Sequence, residues 1–457
     1  MRDLIFSLMI FALLPVSYRR PLIGILAFTW LAYMRPQDLC WGFAREQRWS
    51  FLIAGATLAG QFSRPGSKWF EPDLRSTAMI LLAVWVGLSY IASGVPLHDY
   101  NINAYVEYVK IIGVALFTAA VVNKREHLRV LMWVIGLSFG FYGVKVGLSG
   151  VLSFGRIKVL QGPGGMLEDN NNFGLALAMG LPLLIQIALS EKNKTLRRGF
   201  FLMIPLMVLT IVLTHSRGAA LSLGAMLFTL IWRSRNRVAG FAIAAVGALT
   251  AIAFVDKSYV ERLSTITEYE QDGSAMGRLA AWRTALNMTE QNPFFGVGYG
   301  LFQRNYWKYA SGSSNEGKRV AHNAYLQIMA ECGIPAFLFY MSLIVLSFWA
   351  IWKVRRRAKQ LYYSSWILEY ATMFEAAMVA FVVGSTFLNR AQFDLYYHFV
   401  AIILAFERIA MNEMDGLVPL EGARGRGGEL TIVRPRGFQR VAPASGFATR
   451  ELGGPSG

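Results

Sequence analysis

The sequence predicts an all-α, polytopic integral membrane protein of about twelve or thirteen transmembrane helices, and three observations support this fold class. The 457-residue chain is 54% hydrophobic, only 16% of its residues are charged, and its mean hydropathy is +0.39. Apolar runs suited to crossing roughly 30 Å of hydrocarbon recur along the chain to about residue 410. They leave no room for a soluble catalytic domain of normal size. Any chemistry is therefore expected in loops or at helix ends.

The apolar runs define the predicted spans in order. They lie near residues 4–16, 22–34, 49–62, 76–93, 106–122, 130–150, 173–190, 200–213, 218–232, 238–254, 333–352, 368–387 and 394–410. The first two runs are short, so they form either two spans or one element broken around "SYRRP". The start has a weakly charged front and no small-residue cleavage site, which favours a retained helix over a secretory signal. The two cysteines, Cys40 and Cys332, lie in no ligand-spaced cluster, so two unpaired thiols are expected.

Basic clusters predict the orientation, because loops rich in Lys and Arg stay on the cytoplasmic side of a membrane. The clusters are Lys124, Arg125 and Arg129; Lys192, Lys194, Arg197 and Arg198; Arg233, Arg235 and Arg237; and Lys353, Arg355, Arg356, Arg357 and Lys359. All of them fall on one side of the predicted spans. Residues 151–172, 214–217 and 255–332 then lie outside, and the C-terminal tail lies inside.

The tail from about Met411 is rich in Gly, Arg and Pro, which predicts disorder. Such a tail could bind nucleic acid or anionic lipid, but a solvated basic tail that reinforces orientation explains it without a further partner. No nucleic-acid partner is expected. The chain then divides into N-terminal transmembrane helices at residues 1–123, a transmembrane core with its large outer loop at 124–410, and a basic tail at 411–457.

The outer loop at 255–332 contains the segment "DGSAMGRLAAWRTALNMTEQNP", which predicts an amphipathic helix. Asp272 and Ser274 are candidates for its N-cap, and Pro293 ends it. One face, formed by Leu279, Trp282 and Leu286, is expected to pack against the bundle or the membrane mouth. The glycines of the following "NPFFGVGYGLF" permit a tight backbone path close to another chain or a ligand.

Arginines on the outer side are the first candidate site residues. Arg278, at the start of the predicted helix, is either an exposed or snorkelling cation or a ligand-binding group, and Arg283 and Arg304 carry the same two interpretations. Arg217 follows Ser216 in "LTHSRGAALSLG", between two apolar runs. A cation there is costly unless it faces a cavity or a partner. A turn arginine reaching headgroups is the alternative, and Arg217 is the strongest single candidate.

His322 stands at the start of "AHNAYLQIMAECGIPAFLFY" and is one of five histidines. A lone interfacial histidine is usually a capped or packed residue. However, it falls on the same predicted side as Arg217 and Arg278 and opens a helix that leads into a span. A histidine beside two fixed cations suits removal of a proton from a hydroxyl while a phosphate leaves.

Two further outer segments carry polar side chains. In "GPGGMLEDNNNFG", Asp169 and the asparagines through Asn172 either bind sugar hydroxyls or cap the next helix. In "EYEQD", Glu268, Glu270 and Asp272 could attract a divalent ion, but a solvated acidic run beside basic residues is the favoured explanation. Because no Asp-x-Asp appears in an early outer loop, we expect no metal and no other cofactor.

Three segments in this order resemble the signature of the O-antigen ligase superfamily, which includes lipopolysaccharide ligases and bacterial protein O-glycosyltransferases. They are "THSRGA", "GRLAAWRTALNMTEQNPFFGVGYGLF" and "AHNAYLQIMAECGIPAFLFY", and the resemblance covers roughly residues 170–345. In the last segment the residues at family spacing are His322, Asn323, Leu326, Glu331 and Gly333. The N-terminal "MRDLIFSLMIFALLPVSYRRPLIGILAFTWLAYMRPQ" resembles the exosortase-associated O-glycosylation ligases within that superfamily.

The resemblance implies transfer of a saccharide from an undecaprenyl-diphosphate carrier to an acceptor hydroxyl, on the periplasmic face of a bacterial inner membrane. The acceptor would be a glycolipid, an exopolysaccharide or a protein. The family's essential arginines correspond to Arg217 and Arg278, and its essential histidine to His322. The arginines would hold the diphosphate, and His322 would be the general base of an inverting reaction. The candidate substrate contacts are Ser216, Asn172, Asn323, Arg283 and Arg304.

Two other functions stay open. A polymerase of lipid-linked repeat units would show the same basic outer site with a second lipid-linked glycan as acceptor. A transporter would place ionisable residues at mid-membrane and show repeated halves. Glu369, Glu375 and Glu407 fall in or beside late spans, but the sequence has no visible internal repeat, so transport is disfavoured.

Overall fold

The computed structural model of the chain describes residues 1–96, 100–234, 236–242, 245, 273–310, 319–360, 366–387 and 391–416. These residues form α-helices joined by turns, and among them the only β pairing is an isolated bridge between Gln161 and Asp169. The predicted all-α class is confirmed. The acidic run Glu268, Glu270 and Asp272, most of the apolar run at 238–254 and the tail beyond residue 416 lie outside the described residues.

The helices follow the order of the predicted apolar runs. They are α1 (Arg2–Arg19), α2 (Pro21–Tyr33), α3 (Trp49–Phe62), α4 (Leu74–Ala92), α5 (Tyr100–Val121), α6 (Arg125–Leu152), α7 (Asn170–Ser190), α8 (Lys194–Leu213), α9 (Arg217–Arg233), α10 (Gly273–Gln291), α11 (Phe302–Tyr309), α12 (Ala324–Gln360), α13 (Trp366–Gly384) and α14 (Asp394–Asp415).

Seven helices in the described part of the chain are long and apolar enough to cross a membrane, fewer than the predicted twelve or thirteen. They are Leu74–Ala92, Ile102–Val121, Arg125–Leu152, Asn170–Ser190, Lys194–Leu213, Ala324–Gln360 and Trp366–Phe387. The difference arises partly because α2, α3 and α9 have 13, 14 and 17 residues, below the roughly 20 that a perpendicular span requires. The protein is nevertheless a multi-pass membrane protein.

The chain divides into two compact units, Met1–Ile409 and Ala410–Gly457, and the structure describes the second only to residue 416. Within the first unit both cysteines are buried free thiols, as predicted. Burial raises the pKa of the Cys40 thiol, which keeps the group protonated and unreactive.

One set of helix ends is held together by polar contacts and carries the basic clusters. The Tyr18 hydroxyl at the end of α1 donates to Ser63 Oγ after α3 at 2.8 Å. The amide of Gln186, near the end of α7, donates to Glu369 Oε2 at the start of α13, also at 2.8 Å. We call this side of the bundle the basic end, because the predicted clusters at residues 124–129, 192–198 and 353–359 begin or end its helices.

The other helix ends form the opposite end of the bundle. The backbone N–H of Gly42 donates to Asp3 Oδ1 at 2.9 Å, which ties the start of α1 to the α2–α3 connection. The N–H of Val159 donates to the carbonyl of Leu213 at 2.9 Å, which ties the α6–α7 connection to the end of α8. The helix ends therefore alternate as the basic clusters predict.

The three glutamates that could have indicated transport all have partners. Glu375 accepts from Arg233 Nη2 at 2.5 Å and from Arg355 Nη1 at 2.6 Å. Glu407 pairs with Arg75 Nη2 at 2.5 Å and with Lys353 Nζ at 3.1 Å. Glu369 pairs with the amide described above. These groups join neighbouring helices, which is a structural use for each carboxylate.

Candidate active site

The start of α9 holds Arg217 at the opposite end of the bundle. Ser216 is the N-cap of this helix: its Oγ accepts from the N–H of Ala219 at 3.1 Å and donates to Asn171 Oδ1 at 2.7 Å. The residue before it, His215, has a φ of 51°, a conformation that non-glycine residues rarely adopt. Arg217 is the first residue of α9 and is half-buried. The turn therefore fixes the direction in which its side chain leaves the backbone.

The start of α7 packs beside this turn. Asp169 is the N-cap of α7, with Oδ1 accepting from the N–H groups of Asn171 at 2.9 Å and Asn172 at 3.2 Å. The Asn170 amide donates to the carbonyl of Thr214 at 2.9 Å. The capping interpretation is thus correct for Asp169. Asn172 is buried and its amide donates to a carbonyl of the preceding loop; whether it also contacts sugar stays a prediction.

Helix α10 has the predicted bounds, but its most buried residues lie outside the predicted face. Its buried residues include Ala281, Ala285 and Met288, whereas Leu286 is 50% exposed. The small buried side chains let α10 approach α11 and α12 closely. Leu279 and Trp282 are half-buried, and whether their face together with Leu286 meets the membrane mouth stays a prediction. Besides any apolar packing, Trp282 makes a hydrogen bond that the sequence did not predict: its Nε1 donates to the carbonyl of Ala321 at 2.9 Å. This bond anchors the residue directly before His322.

His322 precedes α12 in a strained backbone conformation. Its φ is 47°, so both histidines that adjoin candidate site segments, His215 and His322, are left-handed. Such residues often cluster at functional sites. Asn323 follows as a helix cap, with Oδ1 accepting from the N–H groups of Tyr325 at 3.0 Å and Leu326 at 3.1 Å. The half-buried His322 is thereby held at the start of a rigid helix.

Residues 382–387, which are the last three residues of α13 and the single turn that follows it, contact all three candidate segments. The Cζ atom of Arg278 lies 5.9 Å from the ring centroid of Phe387. On the other side, a Cβ added to Gly218 would lie 2.6 Å from the Cβ of Phe387, so this ring packs directly on the residue after Arg217. The Tyr325 hydroxyl donates to the carbonyl of Val382 at 2.9 Å. We call residues 382–387 the hub turn.

The hub turn brings together the elements that carry Arg217, Arg278 and His322. The Arg278 side chain contacts this turn directly, whereas Arg217 and His322 are linked to it through Gly218 and Tyr325. Two cations and one imidazole on elements joined in this way could attract a polyanion and accept a proton from a neutral nucleophile. Arg283 and Arg304 are exposed. Arg283 lies five residues after Arg278, about 140° around the helix, so it faces away from the Arg278 side of α10. Arg304 lies on α11.

The remaining residues at family spacing have structural contacts. The carboxylate of Glu331 accepts from the N–H groups of Gly300 at 3.1 Å and Phe302 at 3.4 Å, which supports the start of α11. Gly333 kinks α12 with a φ of 79°. A side chain there would collide with the carbonyl of Phe294. The predicted close backbone path of "NPFFGVGYGLF" is therefore a path against the chain itself.

Three residues near the candidate site have contacts that the sequence interpretation missed: Phe387, Tyr325 and Arg319. Phe387 and Tyr325 give no signal in a single sequence, because aromatic residues are common in spans. Arg319 does give one. It precedes His322 by three residues on the predicted outer side, where arginine is disfavoured, and the same argument had identified Arg217.

Within the described ranges, no group of three or more His, Cys, Asp or Glu side chains is arranged to hold a metal ion. The acidic residues of "EYEQD" lie outside those ranges. Independence from metal therefore stays a prediction, based on the sequence and not on the structure.

Two family models match parts of the chain. Residues 202–341 match the family model described as O-antigen ligase. This range contains Arg217, Arg278 and His322. Residues 1–184 match the model of a family of unknown function. No curated protein matches the chain.

Proposed function

Because the chain carries an O-antigen ligase segment at residues 202–341, we propose that it transfers a saccharide from undecaprenyl diphosphate to an acceptor hydroxyl. The family match supports the coarser statement, a membrane glycosyltransferase of the ligase or polymerase type. One observation carries the finer proposal. The matched segment contains two arginines and a histidine whose supporting contacts converge on the hub turn.

In the proposed reaction His322 removes the proton from the acceptor hydroxyl. The acceptor oxygen then attacks the anomeric carbon of the donor sugar. As this C–O bond forms, the bond between the anomeric carbon and the phosphate oxygen breaks, and its electron pair leaves with the diphosphate. A single displacement inverts the configuration at the anomeric carbon. The rigid cap at Asn323 and the anchored Ala321 favour this role, because a general base must be held within hydrogen-bond reach.

Arg217 and Arg278 would bind the diphosphate. Guanidinium groups match phosphate geometry and keep their charge at any physiological pH. The negative charge on the diphosphate grows as the sugar departs, so contacts that strengthen during this step lower the barrier. Ser216, Asn172, Asn323, Arg283 and Arg304 are proposed contacts to the rest of the donor or to the acceptor.

The reaction is proposed to need no metal ion, because the arginines supply the positive charge at the diphosphate. Activity should therefore survive exhaustive chelation. Loss of transfer after chelation, restored by one particular divalent ion, would contradict this part of the mechanism.

The proposed location is the bacterial inner membrane, with the opposite end of the bundle facing the periplasm and the C-terminus in the cytoplasm. The basic clusters support this orientation through the positive-inside rule. Lipid-linked donors would reach the site from the outer leaflet, and surrounding membrane lipids would contact the exposed apolar helix faces.

A polymerase differs from a ligase only in its acceptor. Transport is less compatible with the structure, because Glu369, Glu375 and Glu407 are each engaged in contacts between helices. The ligase and polymerase alternatives must therefore be separated by chemistry rather than by geometry.

The decisive experiment is a transfer assay with purified protein and undecaprenyl-diphosphate-linked glycan. Parallel reactions would contain a protein acceptor, a lipid A core acceptor or a second lipid-linked glycan. We expect transfer to one of the first two acceptors with release of undecaprenyl diphosphate. Elongation of the lipid-linked glycan alone would assign a polymerase. Absence of donor turnover with all three acceptors, by protein that is folded and membrane-inserted, would contradict the proposal.

A further inference from the structure

Gly277, directly before Arg278, lies inside α10 at a buried position. Glycine weakens a helix interior relative to alanine, because it loses more backbone freedom on folding and contributes no side-chain packing. A buried glycine in the second turn of an outer helix therefore suggests that another group needs the space of its missing Cβ.

The group that occupies this space is the guanidinium of Arg319. A Cβ added to Gly277 would overlap with Nη1 of Arg319 and would lie 3.1 Å from its Nη2. The planar guanidinium of Arg319 thus packs on the backbone of α10 at Gly277, the residue directly before Arg278. Arg319 itself is half-buried.

The segment that carries Arg319 is anchored on the same helix. Trp282, one turn after Arg278, donates from Nε1 to the carbonyl of Ala321 at 2.9 Å, and Ala321 is fully buried. Arg319 is therefore fixed at two points: at its guanidinium by Gly277, and through the backbone two residues later by Trp282. Three residues after Arg319, the chain reaches His322.

We propose that Arg319 is a further substrate-binding residue, a third guanidinium for the diphosphate of the donor, and that residue 277 is glycine to admit it. The inference rests on the proposed function and extends it to a residue that the family motifs did not indicate. An anion between Arg278 and Arg319 would be attracted by both groups and would offset their mutual repulsion.

The charge of the substrate gives a reason for a third cation. A glycosyl diphosphate lipid carries one negative charge on each phosphate. When the anomeric C–O bond breaks, the terminal phosphate loses its only ester bond and exposes an oxygen with an ionisation near neutral pH, so the leaving group gains about one further charge. A third guanidinium is suited to this gain, and its loss should lower kcat more than it raises KM.

Binding of the product tests the charge contact directly. The probes are undecaprenyl diphosphate and undecaprenyl monophosphate, added to the purified full-length protein. We expect Arg319→Ala to weaken binding of the diphosphate about tenfold or more, with a smaller effect on the monophosphate. Arg319→Lys should restore part of the affinity. Arg156→Ala, which removes an exposed arginine at the same end of the bundle, should leave binding unchanged.

Gly277→Ala tests the position of Arg319 without removing its charge. The added methyl group should displace the guanidinium, so diphosphate affinity and kcat should fall although the helix propensity of α10 rises. The matched control is Gly199→Ala in α8, where an added Cβ would meet no atom within 4 Å. When Arg319→Ala is already present, adding Gly277→Ala should lower diphosphate affinity and kcat no further.

The outcomes separate this inference from the proposed function. If Arg217→Ala and Arg278→Ala abolish diphosphate binding while Arg319→Ala and Gly277→Ala leave it unchanged, the role of Arg319 is wrong and the proposed function stands. If the wild type binds neither probe, both proposals fail. The inference would also be overturned if Gly277→Ala lowered diphosphate affinity equally in the wild type and in Arg319→Ala. The effect of the glycine would then not depend on Arg319.

Discussion

At the scale of single residues, Phe387 connects the start of α9, which carries Arg217, with the side chain of Arg278. Its ring lies against Gly218 on one side and under the guanidinium of Arg278 on the other. An apolar ring cannot neutralise the cation, but its face attracts a guanidinium and limits the directions it can take. Preorganised cations need less reordering when the substrate binds.

Gly218→Ala should disturb this arrangement. The new Cβ would lie 2.6 Å from Phe387 Cβ and 2.9 Å from its Cγ, so the ring must move away from α9. Because a misplacement of about 1 Å can cost two orders of magnitude in rate, we expect transfer to fall about tenfold to hundredfold. Gly224→Ala in the same helix is the control, since an added Cβ there meets open space. Equal activities of the two variants would contradict the role of Phe387.

Asn323 has a capping contact and a proposed substrate contact, and two substitutions separate them. Asn323→Asp keeps an oxygen for the N–H groups of Tyr325 and Leu326, so the thermal stability of the purified protein should be preserved. It lacks the amide donor, and we expect transfer to fall about tenfold. Asn323→Ala should also lose about 1 kcal/mol of stability. Full transfer by the aspartate variant would limit Asn323 to the cap.

At the scale of helices, local sequence signals predicted where helices begin and end more accurately than they predicted which helix faces are buried. The span of α10 follows from its helix formers and from Pro293, and the start of α7 follows from Asp169. The buried face of α10 did not follow, because small alanines pack against α12 where large apolar residues were expected. A prediction from a hydrophobic stripe assumes that the neighbouring helix has room for bulky side chains. In a membrane protein, small residues often mark the closest contacts instead.

The ion cluster around Glu375 joins three helices, α9, α12 and α13. Glu375→Gln would leave Arg355, whose side chain is 10% exposed, without its charge partner. We expect a loss of about 2 kcal/mol, less than for a fully buried pair because Arg233 is 38% exposed. Thermal unfolding in detergent would measure it, with exposed Glu126→Gln as the control. Diphosphate binding should be unchanged; loss of binding at full stability would instead indicate a functional carboxylate.

At the scale of the whole molecule, the sequence predicted the class and the alternation of helix ends, and the side of the membrane that carries the candidate site stays a prediction. Composition and basic clusters determine these properties without knowledge of packing. The described residues contain fewer candidate spans than predicted, partly because short apolar runs such as 22–34 and 49–62 form helices below spanning length. The hub turn could not be predicted at all, since its contacts join residues at least 57 positions apart in the sequence.

Orientation can be measured by labelling single introduced cysteines in intact cells. Arg156 is exposed at the opposite end of the bundle and Lys192 is exposed at the basic end. Because both native cysteines are buried, a membrane-impermeant maleimide should give little background. We expect Arg156→Cys to react in intact cells and Lys192→Cys to react only after permeabilisation. The reverse pattern would put the candidate site on the cytoplasmic side.

The central claim is that Arg217, Arg278 and His322 act together on one diphosphate-linked donor. Release of undecaprenyl diphosphate, followed over time with purified wild type and the variants Arg217→Gln, Arg278→Gln and His322→Gln, tests it most directly. We expect each variant to lower the rate at least about hundredfold, with His322→Gln still binding the donor because it removes the base and leaves both cations. Release at the wild-type rate by any of the three would contradict the account.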